Sequence, residues 1–428
     1  MKRKTITLMI ASLMTLALTG CGVQPAFQTS SQPETAVSED PADTSTEHVA
    51  ADDESSDEEA FHIGIVTGSF SQSEDDRRGA EAFQEKYGAD AVTLAIYPDD
   101  FTDELETTVS IIVNLADDPD MKAIIVNQAV DGTTEAFRRI HEKRPDIICI
   151  AGEAYEDFSD ISETADLVVN YDFISRGYLM VRTAHELGCD TFVHISFPRH
   201  LDYESVSRQV AVMRAACEEF GMSFEMEEAP DPTTEVGVPG AQAFITEHVP
   251  EWIEKYGRQS AYFCTNDAHT EPLIRGLMEH GGYFIEADLP SPLMGYPGAL
   301  DMDLTGKSGD FDAIIDQVEQ AVVEHGGAGR FGTWKYSYGY TVSAGLAEHA
   351  RNVILGESTL TSIEDLAKAY EVFSPDARWN GSVYTDADTG EAVDNTFLIY
   401  QDTYIFGDPG HYMGTTSVEV PGVYLTLR

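Results

Sequence analysis

The chain has 428 residues, with 26 Lys and Arg against 75 Asp and Glu, a formal net charge of −49, and 42% hydrophobic residues. That length is more than one hydrophobic core supports, so at least two compact parts are expected. So acidic a surface repels phosphate backbones and anionic lipid headgroups, which disfavours any nucleic-acid partner and says little about fold.

In chain order, the first twenty residues carry Lys2, Arg3 and Lys4, an apolar run from Ile6 to Leu18, and the small residues Thr19 and Gly20 before Cys21. The run is shorter than the roughly 20 apolar residues of a membrane span and reads as an export signal. Leu18-Thr19-Gly20-Cys21 resembles the lipobox of bacterial lipoproteins. That resemblance implies cleavage before Cys21, lipidation of Cys21, and an extracytoplasmic protein held at the cell membrane through its lipid alone. Residues 22–60 hold eleven Asp or Glu and no Lys or Arg. Such a segment cannot bury enough apolar surface to offset its ordering entropy, so residues 21–60 are expected to form a lipidated, disordered tether reaching roughly 35 Å or more.

From Phe61, short apolar runs alternate with amphipathic ones. Strands are predicted at Ile63–Val66, Val92–Ile96, Ala123–Val126, Ile147–Ile150, Leu167–Val169, Phe192–Ile195, Ser223–Met226 and Ala261–Cys264. Helices are predicted at Asp75–Lys86, Glu104–Leu115, Thr133–Lys143, Ser175–Leu187, Val206–Phe220, Ala241–Tyr256, Glu271–His280, Phe311–Glu324 and Val342–Leu355. Strands apolar on both faces, each followed by a helix, require a parallel sheet with right-handed crossovers. The fold class is therefore α/β, with two doubly wound, Rossmann-like lobes joined by a multi-stranded hinge. Seams near Asn170-Tyr171-Asp172 and in the Pro/Gly-rich Pro290–Asp301 put residues 61–171 and 297–356 in lobe 1 and 172–296 in lobe 2. Residues 357–428 read as a partly β C-terminal appendage that begins with a helix at Ile363–Phe373 and ends in a strand-like Val423–Leu427.

Catalytic and nucleotide motifs do not fit. The loop Thr67-Gly68-Ser69-Phe70-Ser71-Gln72 lacks the lysine of a phosphate-binding loop and the GxGxxG spacing, and Asp301 stands where a Walker glycine would precede Lys307-Ser308. No GxSxG elbow occurs, and the twelve histidines form no HxxxH or HxH pair. Asp386 to Glu391 has Gly390 where a calcium ligand belongs and reads as a hairpin turn. Cys149, Cys189, Cys217 and Cys264 are too dispersed for a disulfide framework, although a Cys189–Cys217 bridge stays open. No cofactor, metal or enzymatic activity is expected.

Polar and aromatic residues do recur at the ends of successive strands, where open α/β sheets bind ligands. They are Ser69, Phe70, Asn127, Gln128, Asp131, Glu153 and Tyr155 in the first lobe, and Phe197, Arg199, Asn266 and Asp267 in the second, with Tyr296 at the returning seam. Aromatic walls with a few hydrogen-bonding groups suit a small polar organic molecule.

The runs "HIGIVTGSF", "AIIVNQAVDGT", "FCTND" and "YGYTVSAGLAEHARNVILGE", spread over roughly residues 61–356, resemble the type I periplasmic binding proteins. With the lipobox, the whole resembles uncharacterised lipoproteins of that fold. The resemblance implies a bilobal receptor that clamps a small molecule between its lobes, the superfamily's Asn-Asp pair falling on Asn266 and Asp267 and a second-lobe arginine on Arg208. It implies an ABC permease as partner, or alternatively a membrane signalling protein; a surface hydrolase on the same sheet is a weaker alternative. The tail after Gly356 exceeds the family's usual ending, and only Trp252, Trp334 and Trp379 are available for stacking.

Overall fold

The structure is a computed structural model that describes residues 61–69, 73–307 and 309–428. Cys21, the tether and Phe70 lie outside the described residues.

The first series runs β1 (His62–Thr67), α1 (Glu74–Tyr87), β2 (Val92–Ile96), α2 (Leu105–Leu115), β3 (Met121–Asn127), α3 (Thr133–Lys143), β4 (Ile148–Gly152), α4 (Phe158–Ile161) and β5 (Leu167–Tyr171). A second follows as α5 (Phe173–Glu186), β6 (Thr191–Ser196), α6 (Pro198–Leu201), α7 (Glu204–Phe220), β7 (Ser223–Glu228), α8 (Gly237–Tyr256), β8 (Ser260–Cys264), α9 (Asp267–His280) and β9 (Tyr283–Phe284). The chain then forms α10 (Tyr296–Ala299), α11 (Phe311–Glu324), β10 (Gly332–Thr333), α12 (Tyr338–Ile354), α13 (Ile363–Glu371), β11 (Trp379–Thr385), β12 (Ala392–Gln401), β13 (Tyr404–Ile405) and β14 (His411–Tyr412).

These strands build two parallel βα lobes. The first sheet has the order β11-β12-β5-β4-β3-β1-β2 and the second β7-β6-β8-β9, while β10-β13-β14 form a small sheet of their own. Ile63, Ile65 and Val66 of β1 and Ile124, Ile125 and Val126 of β3 are buried to 2% exposure or less, as central parallel strands covered on both faces require. Helix α12 returns to the first sheet against α1. Gly79 on α1 makes that approach feasible, since a Cβ there would collide with the Tyr340 carbonyl.

Three features differ from the sequence reading. Helix α11 was expected in lobe 1, yet Phe311, Ile314, Ile315, Val318 and Val322 pack in the second core with Val193, Ile195 and Phe284. An amphipathic stripe says that a helix is buried on one side without saying against which sheet. The expected β-rich C-terminal region is present, and what the sequence reading lacked is its attachment: β12 pairs in parallel with β5 and β11 closes the edge in antiparallel. Finally, the strand-like Val423–Leu427 is a 3₁₀ turn over Gly422–Thr426. The Asp386 run forms the expected hairpin turn, its carboxylate accepting the amides of Asp388 and Thr389 at 2.8 and 2.7 Å. Cys149, Cys189, Cys217 and Cys264 are all buried and free.

Candidate functional site

Both sheets reverse their order beside their first strand, β1 lying between β3 and β2, and β6 between β7 and β8. Neighbouring connections diverge there to opposite faces and leave a crevice at the carboxyl ends of the strands.

After β1 the chain enters α1, whose first turn carries Asp75 and Asp76. Ser73 does not cap the helix; its hydroxyl donates to Asp76 instead. Asp76 is 1% exposed and accepts the Asn127 amide at 2.9 Å, and the same amide donates to the Ser343 hydroxyl of α12 at 2.8 Å. Asp75 accepts from Ser337 at 2.5 Å and from Ser291, which follows β9, at 3.4 Å. Both acids of this first turn are therefore bonded within the protein, beyond the favourable placement that the helix dipole alone would give them.

After β4 stands Glu153, 3% exposed and at φ 49°. A non-glycine residue in this left-handed region costs on the order of 1 kcal/mol, which the surrounding packing must offset. The Gln128 amide and Tyr155 hydroxyl reach its carboxylate only at 3.4 and 3.5 Å, so it is loosely held.

The second lobe contributes Asp267, at the start of α9, and the segment after β9 contributes Asp288. Burial first, then the charges of Asp76, Asp267 and Asp288, push the Glu153 carboxyl well above the usual carboxylate range. Burial, followed by the charge of Asp75, pushes Asp76 upward. Loss of hydration raises Asp267 to about 6, and in Asp288, at about 7, burial outweighs the relief from Arg176. Glu153 is thus within electrostatic reach of acids from both lobes. Asp267 has an exposed surface although enough protein surrounds it to weaken its hydration. Tyr155 combines 59% exposure with a hydroxyl raised by the same cause. A side chain projecting from the wall of an open cleft has both properties.

Tyrosines complete the wall. Tyr97 follows β2, Tyr155 follows β4, and Tyr338 opens α12; after burial, the carboxylates of Asp76 and Glu153 are among the charges raising all three hydroxyls. The Tyr338 ring meets Tyr171, at the end of β5, edge to face with centroids 6.1 Å apart.

Of the residues expected at a site, Asn127, Gln128, Glu153, Tyr155 and Asp267 thus come together, while Ser69 donates to Asp99 at 2.6 Å in the loop after β2. Asp131 is exposed ahead of α3. The Asn266 side chain is engaged in capping α9 through the Ala268 amide at 3.0 Å. Arg199 is held by Asp231 at 2.7 and 3.0 Å, and Phe197 packs against His200 with centroids 4.2 Å apart.

Two residues sit elsewhere. Arg208 donates to the carbonyls of Thr385, Leu425 and Leu427 and to Glu204, fastening the C-terminal tail rather than a ligand. Tyr296 is 1% exposed and donates to the Gly332 carbonyl at 2.6 Å, as a core residue. Sequence reasoning missed Asp75, Asp76, Tyr97, Tyr171, Asp288 and Tyr338. The adjacent pair Asp75-Asp76 was the one legible signal.

An open depression of about 300 Å³ beside α1, lined by Asp75, Arg78, Leu293, Phe311 and Tyr340 among others, shares only Asp75 with these acids. The groups His62–Asp118–Asp120 and His141–Cys149–Asp166 lie at the amino ends of the strands, away from the cleft.

The raised carboxyls predict a pH dependence. A folded pKa above the unfolded value near 4 contributes stability that is complete below that value and is lost as pH rises through the folded pKa. For Asp267 and Asp288 that loss runs through about 6 and 7. Asp146 and Asp231, held down by arginines, titrate below this window. The imidazoles of His194, His200, His269 and His349, held neutral by burial, gain stability as pH rises over the same window, so the carboxyls are read by difference: Asp76→Asn should raise the melting temperature by several degrees at pH 8 but hardly at pH 5. Thermal unfolding followed by circular dichroism checks this, and an Asp76→Asn effect equal at the two pH values would contradict a raised Asp76 carboxyl.

A family model described as "Protein of unknown function (DUF3798)" matches residues 61–332. An uncharacterised protein of Treponema pallidum (strain Nichols) is 41% identical over 209 residues, covering 49% of this chain and 94% of the relative. The crystal structure of a proposed transcriptional regulator from Clostridium difficile 630 matches with a TM-score of 0.72 at 20% identity, covering 81% of this chain and 99% of that one. At that identity the similarity establishes the two-lobed α/β fold. A periplasmic solute-binding protein of an ABC transporter from Actinobacillus succinogenes 130z, crystallised with D-allose, matches with a TM-score of 0.45 at 15% identity, over 70% of this chain and 93% of that one.

Proposed function

Starting from the fact that this chain belongs to the family of unknown function DUF3798, we propose that it is an extracytoplasmic, lipid-anchored receptor that clamps a small polar molecule between its two lobes. What supports this reading is that Asn127 bonds Asp76, and Gln128 and Tyr155 reach Glu153, at the carboxyl ends of β3 and β4, with Asp267 of the other lobe within electrostatic reach of Glu153. Few of them are bound to each other in the manner of a structural network, and hydrogen-bonding groups and aromatic faces together are what a ligand pocket needs. Among the described residues no nucleophile paired with a base accompanies them, which favours binding over turnover. The ligand would pass to an ABC permease; a membrane sensor protein as recipient is the alternative.

The test of binding is a metabolite screen by thermal shift on the purified protein. A receptor gains RT ln(1 + [L]/Kd), about 2.7 kcal/mol at a hundredfold excess over Kd, so a true ligand should raise the midpoint by several degrees. Anchoring is tested separately. Cys21→Ala should move the protein from the detergent phase to the aqueous phase on Triton X-114 partition, and continued detergent partition would remove the lipid anchor from the account.

A further inference from the structure

Resting on the receptor reading, we propose that the ligand is an organic cation bearing at least one ammonium or guanidinium group, held between Glu153 and Asp76 on one side and Asp267 on the other, against tyrosine faces. Glu153 feels the carboxylates of Asp76, Asp267 and Asp288, and Asp288 feels that of Asp267, while Asp76 is bound through Asn127 at the end of β3, the strand beside the one that Glu153 follows. Arg176, whose charge acts on Asp288 but not on the other three, is already paired with Glu286 at 3.2 Å and donates to the carbonyls of Ala287 and Asp288. On the helix of Asp76, Arg78 binds Glu74 and Glu81, and Arg77 reaches Glu81 through Nε at 3.4 Å with its Nη1 buried and unpartnered; neither charge is among those acting on Asp76 or Glu153. The site therefore holds acids with no cation of their own, kept protonated by burial, and a bound cation would favour their ionised form.

A second observation is independent of the acids. The Tyr338 hydroxyl is unpartnered although Tyr338 is 1% exposed, and Glu153 and Asp76 are among the charges it senses. A buried hydroxyl without a partner, within electrostatic reach of the same acids, points to a group that arrives from outside. Asp288 Oδ1 is likewise buried without a partner.

The spacing argues against a bare metal ion. Among the described residues, the groups whose ligand atoms approach within 4.8 Å of one another do not include these carboxylates. An extended organic cation can reach acids on opposite walls that a single ion cannot. The faces of Tyr97, Tyr155 and Tyr171 add what a metal would not use, since ammonium and guanidinium groups are attracted to aromatic rings.

The experiment is titration calorimetry and thermal shift of the full protein with choline, putrescine, spermidine and arginine, beside D-glucose, L-glutamate and Ca²⁺. At least one organic cation should bind, more tightly at pH 8 than at pH 5.5 as the acids ionise. Asp267→Asn should weaken it tenfold or more; because Asp267 is reachable by water, this variant should keep the wild-type fold, checked by its ligand-free circular dichroism spectrum. Selective binding of glucose, glutamate or Ca²⁺ would overturn the cation assignment and leave the receptor reading standing. Binding of none, extended to a broad metabolite panel, would overturn both. Cation affinity unchanged in both Asp267→Asn and Glu153→Gln would also overturn the proposal.

Discussion

Deleting residues 357–428 should leave a chain that does not fold, because the tail completes the first sheet. Strand β12 sits between β5 and β11, with Thr396 to Gln401 all at 3% exposure or less. Its partners are set by four parallel pairs, from Thr396 with Val168 to Ile399 with Tyr171. Burying Phe397, Leu398, Ile399 and Tyr400 at about 1.5–3 kcal/mol each contributes on the order of 10 kcal/mol, comparable to the whole stability of a domain. Deletion would also bare the β5 edge, which invites aggregation. It would leave the guanidinium of Arg208, a residue 2% exposed, without its three carbonyl acceptors. The expected result is insoluble protein or a soluble fraction without a cooperative thermal transition. A truncated chain that melts cooperatively near the wild-type midpoint would make the tail an accessory after all.

The second large effect belongs to Arg176. This residue of α5 is 1% exposed and reaches the segment that carries Asp288, through Glu286 at 3.2 Å, the Ala287 carbonyl at 2.8 Å and the Asp288 carbonyl at 2.9 Å. Its guanidinium also lies 5.4 Å from the Tyr171 ring and 5.2 Å from that of Trp334. Arg176→Met would strand the Glu286 carboxyl, 3% exposed and otherwise bonded to Thr403, and would orphan two carbonyls. Removing one partner of a buried pair costs about 3–5 kcal/mol. Urea unfolding should show that loss, and the double variant Arg176→Met with Glu286→Leu should recover part of it, since the uncompensated charge goes too. A single variant within about 1 kcal/mol of wild type would mean that the pair is not holding this segment.

Much of the scaffold is readable from periodicity. The uninterrupted apolar runs of β1 and β3 and the stripe on α3 identify their elements without tertiary information, and Val92–Ile96 and Thr133–Lys143 need no adjustment. What was not readable is long-range. The pattern of β11 and β12 fits a free hairpin as well as it fits a sheet edge, and only contact with β5, more than 220 residues earlier, decides between them. The same applies to α11, whose apolar stripe does not name its lobe. Within the site, Glu153, Tyr155 and Asp267 were accessible because strand ends are where such folds bind. Asp75 and Asp76 were obscured by a local explanation, the helix dipole, that accounts for acids in a first turn equally well. Arg208 carried the opposite error. An arginine expected at a ligand is used up by carbonyls of a tail whose destination no local pattern reveals.

The claim that both lobes hold one small molecule is tested most directly by native mass spectrometry of the protein purified without denaturation. The account predicts a bound adduct of small mass, released on collisional activation and absent from the Glu153→Gln, Asp267→Asn double variant. An adduct retained in full by that variant would place the ligand elsewhere, and a wild-type protein that stays bare even after incubation with a broad metabolite extract would contradict the account.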